Sequence, residues 1–470
     1  MPPQDRFEPR RFDAVPLSSA EREEVGSALL EALQYATSMT ECVRGTQGGG
    51  LYVGLSGVAL ALSELSSMLL HLTESGVHLP DSMAFSMPDP RNLQKVAMDM
   101  CTASTSEELM PSSRRVTMLE GRAGVWALRS ILCAQMGDQS GAESSQKELE
   151  SMYFDRVSKL PPGECEMLYG RAGYLAALLT LAANGQALNM DISMELVKDL
   201  VQQGRRGAAA IGLTGQDGIF VSAQQLGFSL MYSWHDSAYL GAIHGVTGIM
   251  YVLVCAAEAG VLSDQIEANS LIEEVQLCTA ALLAMRTATG NLPSSLGSSK
   301  DTLVQLCHGA PGLAFLCCKL SELLGPSGGS QYLKAALAAS DVVWDRGLLK
   351  KGLGLCHGVA GNAYVFLACH RAAAAAGDSA TAATQLHRAQ QYALYAARTW
   401  KLAYGAPDRP MSLYEGLAGA VALWAHLMPS LSSPSTQVLA ATKMPGFELN
   451  MRAVCVGMTE GAGCQPSSLT

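Results

Sequence analysis

The sequence predicts an all-α fold, an α/α toroid or barrel of seven helical hairpin repeats in which the helices form an inner and an outer ring. Three observations predict it. Ala, Leu, Met and Gly outweigh the β-branched and aromatic residues that favour strands, with hydrophobic residues at 49%, aromatic residues at 6% and charged residues at 16% of the 470. A Gly-x-x-Gly element followed by an apolar stretch recurs seven times. No polar end cap stands at either end of the array, which an open solenoid needs and a closed ring does not.

The repeats are Gly54-Leu-Ser-Gly57, Gly121-Arg-Ala-Gly124, Gly170-Arg-Ala-Gly173, Gly245-Val-Thr-Gly248, Gly309-Ala-Pro-Gly312, Gly358-Val-Ala-Gly361 and Gly416-Leu-Ala-Gly419. Each interval has room for an apolar helix, a loop and a second helix. Stretches after the glycines, such as GVALALSELSSMLLHL and GIMYVLVCAAEAGVL, are apolar on nearly every side and read as buried inner helices. The intervening stretches SSQKELESMYFDRVSKL, SLIEEVQLCTAALLAMR, QYLKAALAASDVVWDR and QLHRAQQYALYAARTW carry charge on one face at helical spacing and read as outer helices. Residues 1–449 are expected to form one domain. Within it Ser75 to Ser113, rich in Pro, Ser and Asp, reads as a long loop or insertion, and the low-complexity run from Ala372 to Thr384 reads as a lengthened loop. Asn450 to Thr470 lacks apolar periodicity and reads as a disordered tail.

Charge and cysteine content narrow the function classes. A formal net charge of −10, with no Lys/Arg-rich stripe in the chain, argues against a nucleic-acid partner. Thirteen scattered cysteines, an odd count, do not make a secreted disulfide framework. The N-terminus MPPQDRFEPRRF has no apolar signal stretch. The expectation is a cytoplasmic protein, with peripheral association at the plasma membrane left open. Seven apolar stretches also invite comparison with a seven-helix membrane receptor, but Glu64, His244 and Glu258 interrupt them, and an integral membrane protein is not expected.

The residue immediately before each first glycine is, in order, Val53, Glu120, Tyr169, His244, His308, His357 and Glu415. Three of the nine histidines therefore fall in one repeat register. If the seven turns share one end of the ring, these side chains converge on a central opening. One position further back stand Cys307 and Cys356, giving Cys-His-Gly in adjacent repeats. Two thiolates and an imidazole suit zinc and leave a fourth position open for chemistry. Neighbouring residues point in different directions, so one of His308 and His357 is spare. His244 is a candidate general acid or base, whereas Glu120 and Glu415 read as carboxylates at helix starts.

The motifs GRAGYLAALL, LCHGAPGLAFL, KKGLGLCHGVAGNAYVFL and DRPMSLYEGLAGA together resemble the LanC-like proteins, eukaryotic relatives of bacterial lanthionine cyclases, over about residues 5 to 449. The resemblance implies a toroid with a central Zn2+ held by Cys307, Cys356 and His357, with His308 outside the ligand set and His244 as the acid/base. It also implies glutathione as ligand or co-substrate, at Lys351 and at the Arg409 to Ser412 stretch, where the cations suit the tripeptide's carboxylates. The activity implied is zinc-dependent addition of the glutathione thiol to dehydroalanine or dehydrobutyrine residues in proteins or peptides. The alternative is a non-catalytic zinc- and glutathione-binding signalling adaptor. Two departures argue against cyclisation of a lantibiotic precursor. Glu164-Cys165-Glu166 stands where bacterial cyclases carry an aspartate, and Leu303-Val-Gln-Leu306 stands where they carry an arginine.

Overall fold

Each Gly-x-x-Gly element opens a helix, and its two glycines do different work. The first is the residue before the helix, in extended backbone at five of the six turns where a cap is assigned, as at Gly121 (φ −112°, ψ 175°). The second lies flat against the carbonyl six residues earlier at six of the turns, and Gly312, at the other, lies against Ala242. A Cβ at Gly124 would collide with the Met118 oxygen, and one at Gly248 with that of Ala242, an approach that only glycine permits.

The computed structural model describes residues 6–10, 12–38, 48–77, 86–215, 218–403, 405, 407–432 and 442–451. Among them, in chain order, are α1 (Ser19–Ser38), α2 (Leu55–Glu74), α3 (Pro90–Ala103), α4 (Arg122–Gln135), α5 (Gln139–Asp155), α6 (Arg171–Ala183) and α7 (Met190–Ala210). A small antiparallel hairpin follows, Gly212–Thr214 against Phe220–Ser222. Then come α8 (Val246–Glu258), α9 (Gln265–Ala284), α10 (Ala310–Arg346), α11 (Val359–Ala375), α12 (Ser379–Ala403) and α13 (Leu417–Ser432). Helix α10 holds both members of one hairpin: Gly325 (φ 66°, ψ −173°) and Pro326 break it, and Gly329 folds back onto the Ser321 backbone.

The inner ring is α2, α4, α6, α8, the first part of α10, α11 and α13. These helices are buried all round, as in α8, where every residue from Val246 to Ala256 is buried. The outer helices bury one face only. In α7 this face is Ile192, Leu196, Val197, Leu200, Gly204 and Ala208, at the spacing of an amphipathic helix. Helix α13 packs on α2, closing the inner ring, and α1 packs on α12 and α13, giving the last inner helix its outer partner. The all-α toroid read from the sequence is therefore the fold.

Backbone hydrogen bonds join the seven turns head to tail. Tyr52 N–H donates to Leu119 O, Met118 to Gly173, Met167 to Ile243, Ala242 to Leu306, Leu306 to Cys356, Cys356 to Tyr414 and Tyr414 back to Tyr52. This closed belt puts all seven turns at one end of the ring. The other end is filled by residues 442–451. Phe447 stacks on Tyr251 (5.0 Å) and meets Phe315 edge-on (5.4 Å), while Glu448 pairs with the buried Arg371 and Lys443 lies 3.6 Å from Glu322.

Two loop expectations are corrected. Residues 75–113 contain α3, with Asp89 accepting from Arg91 N–H at its start and Pro90 in its first turn; the Asp and Pro taken as loop signals open a helix. The run from Ala372 to Thr384 is almost wholly helical, because α11 continues to Ala375 and α12 begins at Ser379. Alanine is the best helix former, and repetition of it does not make a loop. The expected disordered tail lies, from residue 452, outside the described residues. Among the described residues one helix, α2, is long and apolar enough to cross a bilayer, and 67% of its apolar window is buried in the inner ring.

Candidate metal centre

The turns before α10 and α11 are shaped by fixed backbone contacts. Gly309 adopts φ +104°, in the left-handed region, and a Cβ there would meet the Leu303 oxygen. Two buried asparagines anchor the first turn. Asn291 donates to Asp301 Oδ1 and Leu303 O (both 2.9 Å) and accepts from Ala310 N–H (2.8 Å), and Asn362 donates to Val304 O (2.9 Å). Cys356, carrying the second sulfur, is itself a member of the belt on both its N–H and its C=O.

This arrangement brings Cys307, Cys356 and His357 together, with one ligand atom from each lying within 4.8 Å of the others. All three are buried. The two thiols are coupled. Cys307 is held well below the usual thiol range, first because Cys356 donates to it and then through His357, against the opposing effect of burial. Cys356, the donor of that bond, is pushed well up, with burial adding to the effect. Tyr52 hydrogen-bonds to Cys356 and stacks on Tyr414 at 5.0 Å. Gln305 Nε2 donates to Cys307 Sγ (3.0 Å).

Of the two neighbouring histidines, His357 joins the sulfurs and His308 stays out. His308 Nδ1 is buried with no partner, and burial lowers the pKa of its ring, opposed by Cys307. Its ring is 6.0 Å from that of His244 and 5.5 Å from that of Tyr239. His244 Nδ1 lies 3.0 Å from Glu166 Oε2, and its ring stacks on Trp234 at 4.6 Å and 7°. Glu166, 2% exposed, also accepts from the backbone N–H groups of Leu168 (3.0 Å) and Tyr169. A buried carboxylate, Glu166 of the Glu164-Cys165-Glu166 stretch, thus stands behind His244.

Lys351 is exposed on a pocket of about 250 Å³ that Gln305, Arg6 and Lys350 also line, one residue away from the sulfurs through Gln305. The stretch leading to Arg409 adjoins it, since Pro407 packs against Gly352. Arg409 is exposed. Ser412 is fully buried, and its hydroxyl is committed to its own turn, donating to Arg409 O (2.8 Å) and accepting from Glu415 N–H (3.3 Å). Glu120 pairs with Arg115 (3.7 Å), and burial raises its carboxyl while Arg115 pulls it back.

Sequence reasoning did not single out Glu166, Trp234, Tyr52 or Gln305. Tyr52 had a signal, because it stands two residues before its glycine, the register of Cys307 and Cys356. Trp234 had none: it is held by a reversal in which Trp234 and Ser237 exchange N–H···O bonds (3.0 and 3.1 Å).

The Lanthionine synthetase C-like protein model matches residues 46–439, most of the chain. The chain belongs to the lanthionine synthetase C-like family. Similar members include the Danio rerio protein named "Glutathione S-transferase LANCL1", 30% identical over 408 residues, covering 85% of this chain and 84% of that one. Another is the Arabidopsis thaliana LanC-like protein GCL1, 32% identical over 351 residues, covering 72% and 71%. Among solved structures, nisin cyclase aligns with a TM-score of 0.57 over 87% of this chain and 96% of its own, at 14% identity, a likeness of fold.

Proposed function

We propose that this LanC-like protein is a zinc-dependent transferase that adds the glutathione thiol to dehydroalanine or dehydrobutyrine residues in peptides or proteins of the cytoplasm. The single observation that carries the reading is the convergence of two thiols and an imidazole, at the belt end of the ring, beside a histidine oriented by a carboxylate. Three donor atoms within 4.8 Å fit the roughly 3.5–3.8 Å ligand spacing that a tetrahedral zinc with bonds of about 2.0–2.3 Å requires. Zinc bound by Cys307, Cys356 and His357 would supply a Lewis acid that keeps an incoming thiol deprotonated at neutral pH. The glutathione reading is also supported by the name of the Danio rerio relative.

The remaining work falls to the chain's own residues. Lys351 and Arg409 offer cations for the two carboxylates of glutathione. The thiolate sulfur attacks the β-carbon of the alkene, and the electron pair of the double bond passes to the α-carbon and its carbonyl. His244 then delivers a proton to that α-carbon. Glu166 accepts from Nδ1, so the proton in flight belongs to Nε2. Stacking on Trp234 fixes the plane of the ring.

The test is Cys356→Ala. Elemental analysis of the purified variant is expected to find no zinc, and glutathione addition to a dehydroalanine peptide, read by mass, to fall by at least roughly a thousandfold. Undiminished addition by metal-free protein would refute the scheme. If the unchanged protein binds zinc and glutathione but forms no adduct, the adaptor reading replaces it.

A further inference from the structure

On a chain with net charge −10, there is a second basic pocket besides the one at Lys351. It encloses about 670 Å³ and is lined by Arg114, Arg115, Arg156 and Lys159, with Asp155 and Glu164 as its acids. The cations come from two segments, the loop before α4 and the connection after α5, that only the fold brings together. Arg114, Arg156 and Lys159 are exposed and have no ion-pair partner among the described residues. Arg115 is shared with Glu120.

The pocket is linked to His244 through a ladder of flat groups. The Arg115 guanidinium lies 4.3 Å over Tyr169, Tyr169 stacks on Trp234 at 5.5 Å, and Trp234 stacks on His244 at 4.6 Å. Tyr169, Trp234 and the adjacent His235 also form part of the pocket wall. The reversal that presents Trp234 holds two non-glycine residues in the left-handed region, His235 (φ 45°) and Asp236 (φ 59°). Such conformations persist where the surroundings enforce them, characteristically at ligand sites.

We infer that this pocket is the docking subsite for the peptide co-substrate, and that it selects peptides bearing anionic side chains, carboxylate or phosphate, next to the dehydroamino acid. The inference rests on the proposed addition reaction for its co-substrate. The aromatic ladder would carry the peptide backbone toward His244, while the unpaired cations bind the anions beside it. Glutathione would approach from the other side, where Lys351 lies.

The test uses the full-length zinc-loaded protein and four fluorescent dehydroalanine peptides, flanked by Asp-Asp, phosphoserine, Ala-Ala or Lys-Lys. Binding is read by anisotropy without glutathione, and addition is read separately by mass. Binding of an anionic peptide is expected to be at least tenfold tighter than that of the Ala-Ala peptide and to weaken with salt. The tighter of the two anionic peptides identifies the preferred group. The double variant Arg156→Glu, Lys159→Glu, both on the exposed surface, is expected to bring the anionic-to-neutral binding ratio close to one and to favour a Lys-Lys-flanked peptide instead. Equal binding of anionic and neutral peptides to the unchanged protein overturns the inference, as does a ratio that survives the charge reversal. Displacement of the acidic peptide by a single-stranded oligonucleotide at lower concentration than by unlabelled peptide overturns it in favour of nucleic acid. Charge-selective binding with no adduct sinks the proposed reaction and leaves the subsite standing.

Discussion

The two ends of the ring are built from the same inner helices and handle polar groups in opposite ways. At the plugged end buried charges face opposite ones, although Arg371 keeps two nitrogens without a partner: Lys319 meets Glu258, Arg371 meets Glu448, and His426, bonded to Tyr364, reaches Glu64. At the belt end Glu166 faces His244 and Glu120 faces Arg115, but other groups are gathered there without an opposite charge. Two sulfurs share a hydrogen bond, His308 keeps an orphan nitrogen, and three cations lie unpaired beside the Arg115 ladder. A buried polar atom without a partner costs about 1–3 kcal/mol, a cost that a bound ligand can offset. Helix starts, which aim free N–H groups and the positive end of the helix dipole into the hub, suit the chemistry of anions and thiolates better than helix ends do.

The comparison can be broken from either side. The largest expected effect is at the plug. Phe447→Ala removes the ring packed between Tyr251 and Phe315 and should lower unfolding stability by roughly 3–5 kcal/mol in denaturant titration, with metal content unchanged. Loss of metal in folded protein would show that the two ends are not separate.

A somewhat smaller effect is expected at Asp301, which braces the Cys307 turn from outside the ligand set. Its carboxylate binds Thr289, Asn291 and Arg346. Burial pushes its pKa up, but these hydrogen bonds outweigh burial and leave it below the usual carboxylate value. A depressed pKa stabilises the fold above the unfolded-state value, near 3.9, and that contribution is lost as pH falls through the folded value. Asp301→Asn should therefore cost roughly 3 kcal/mol at neutral pH. The gap to the unchanged protein should hold down to about pH 4 and narrow below it in acid-unfolding curves. A gap that widens in acid would contradict the assignment.

The smallest effect sharpens the functional end. Glu166→Gln keeps the shape and one acceptor oxygen, hence one of the two backbone bonds that Leu168 and Tyr169 make to different oxygens, but removes the charge behind His244. Adduct formation is expected to slow by roughly thirtyfold, about 2 kcal/mol, with glutathione binding by calorimetry unaltered. Equal loss of binding and rate would make Glu166 a structural residue.

Much of this contrast was legible beforehand. The glycine register placed every inner helix, because the close approach of a helix to a carbonyl demands glycine whatever the surrounding sequence. The same register found Cys307 and Cys356 with one of His308 and His357, since equivalent positions in a closed ring share one end, and the family resemblance singled out His357. Features that depend on distant pairing were not legible. The Arg114–Lys159 pocket joins segments with no common motif, and Trp234 owes its position to a strained reversal. Local signals also misled: Asp89-Pro90 looked like a turn and proved to be a helix start, and the alanine run of α11 looked like a linker. Charge totals hid the basic pocket, because a net value of −10 averages over a surface that the fold sorts.

Pairing of the first helix with the last hairpin has a consequence for synthesis. Helix α1 is translated before the hairpins it packs on, so its apolar residues Val25, Leu29 and Leu33 cannot be covered until α12 and α13 have been made. Cys307 and Cys356, on adjacent hairpins, meet well before that. These two thiols can therefore come together while the wheel is still open, and the covering of α1 is the last contact made.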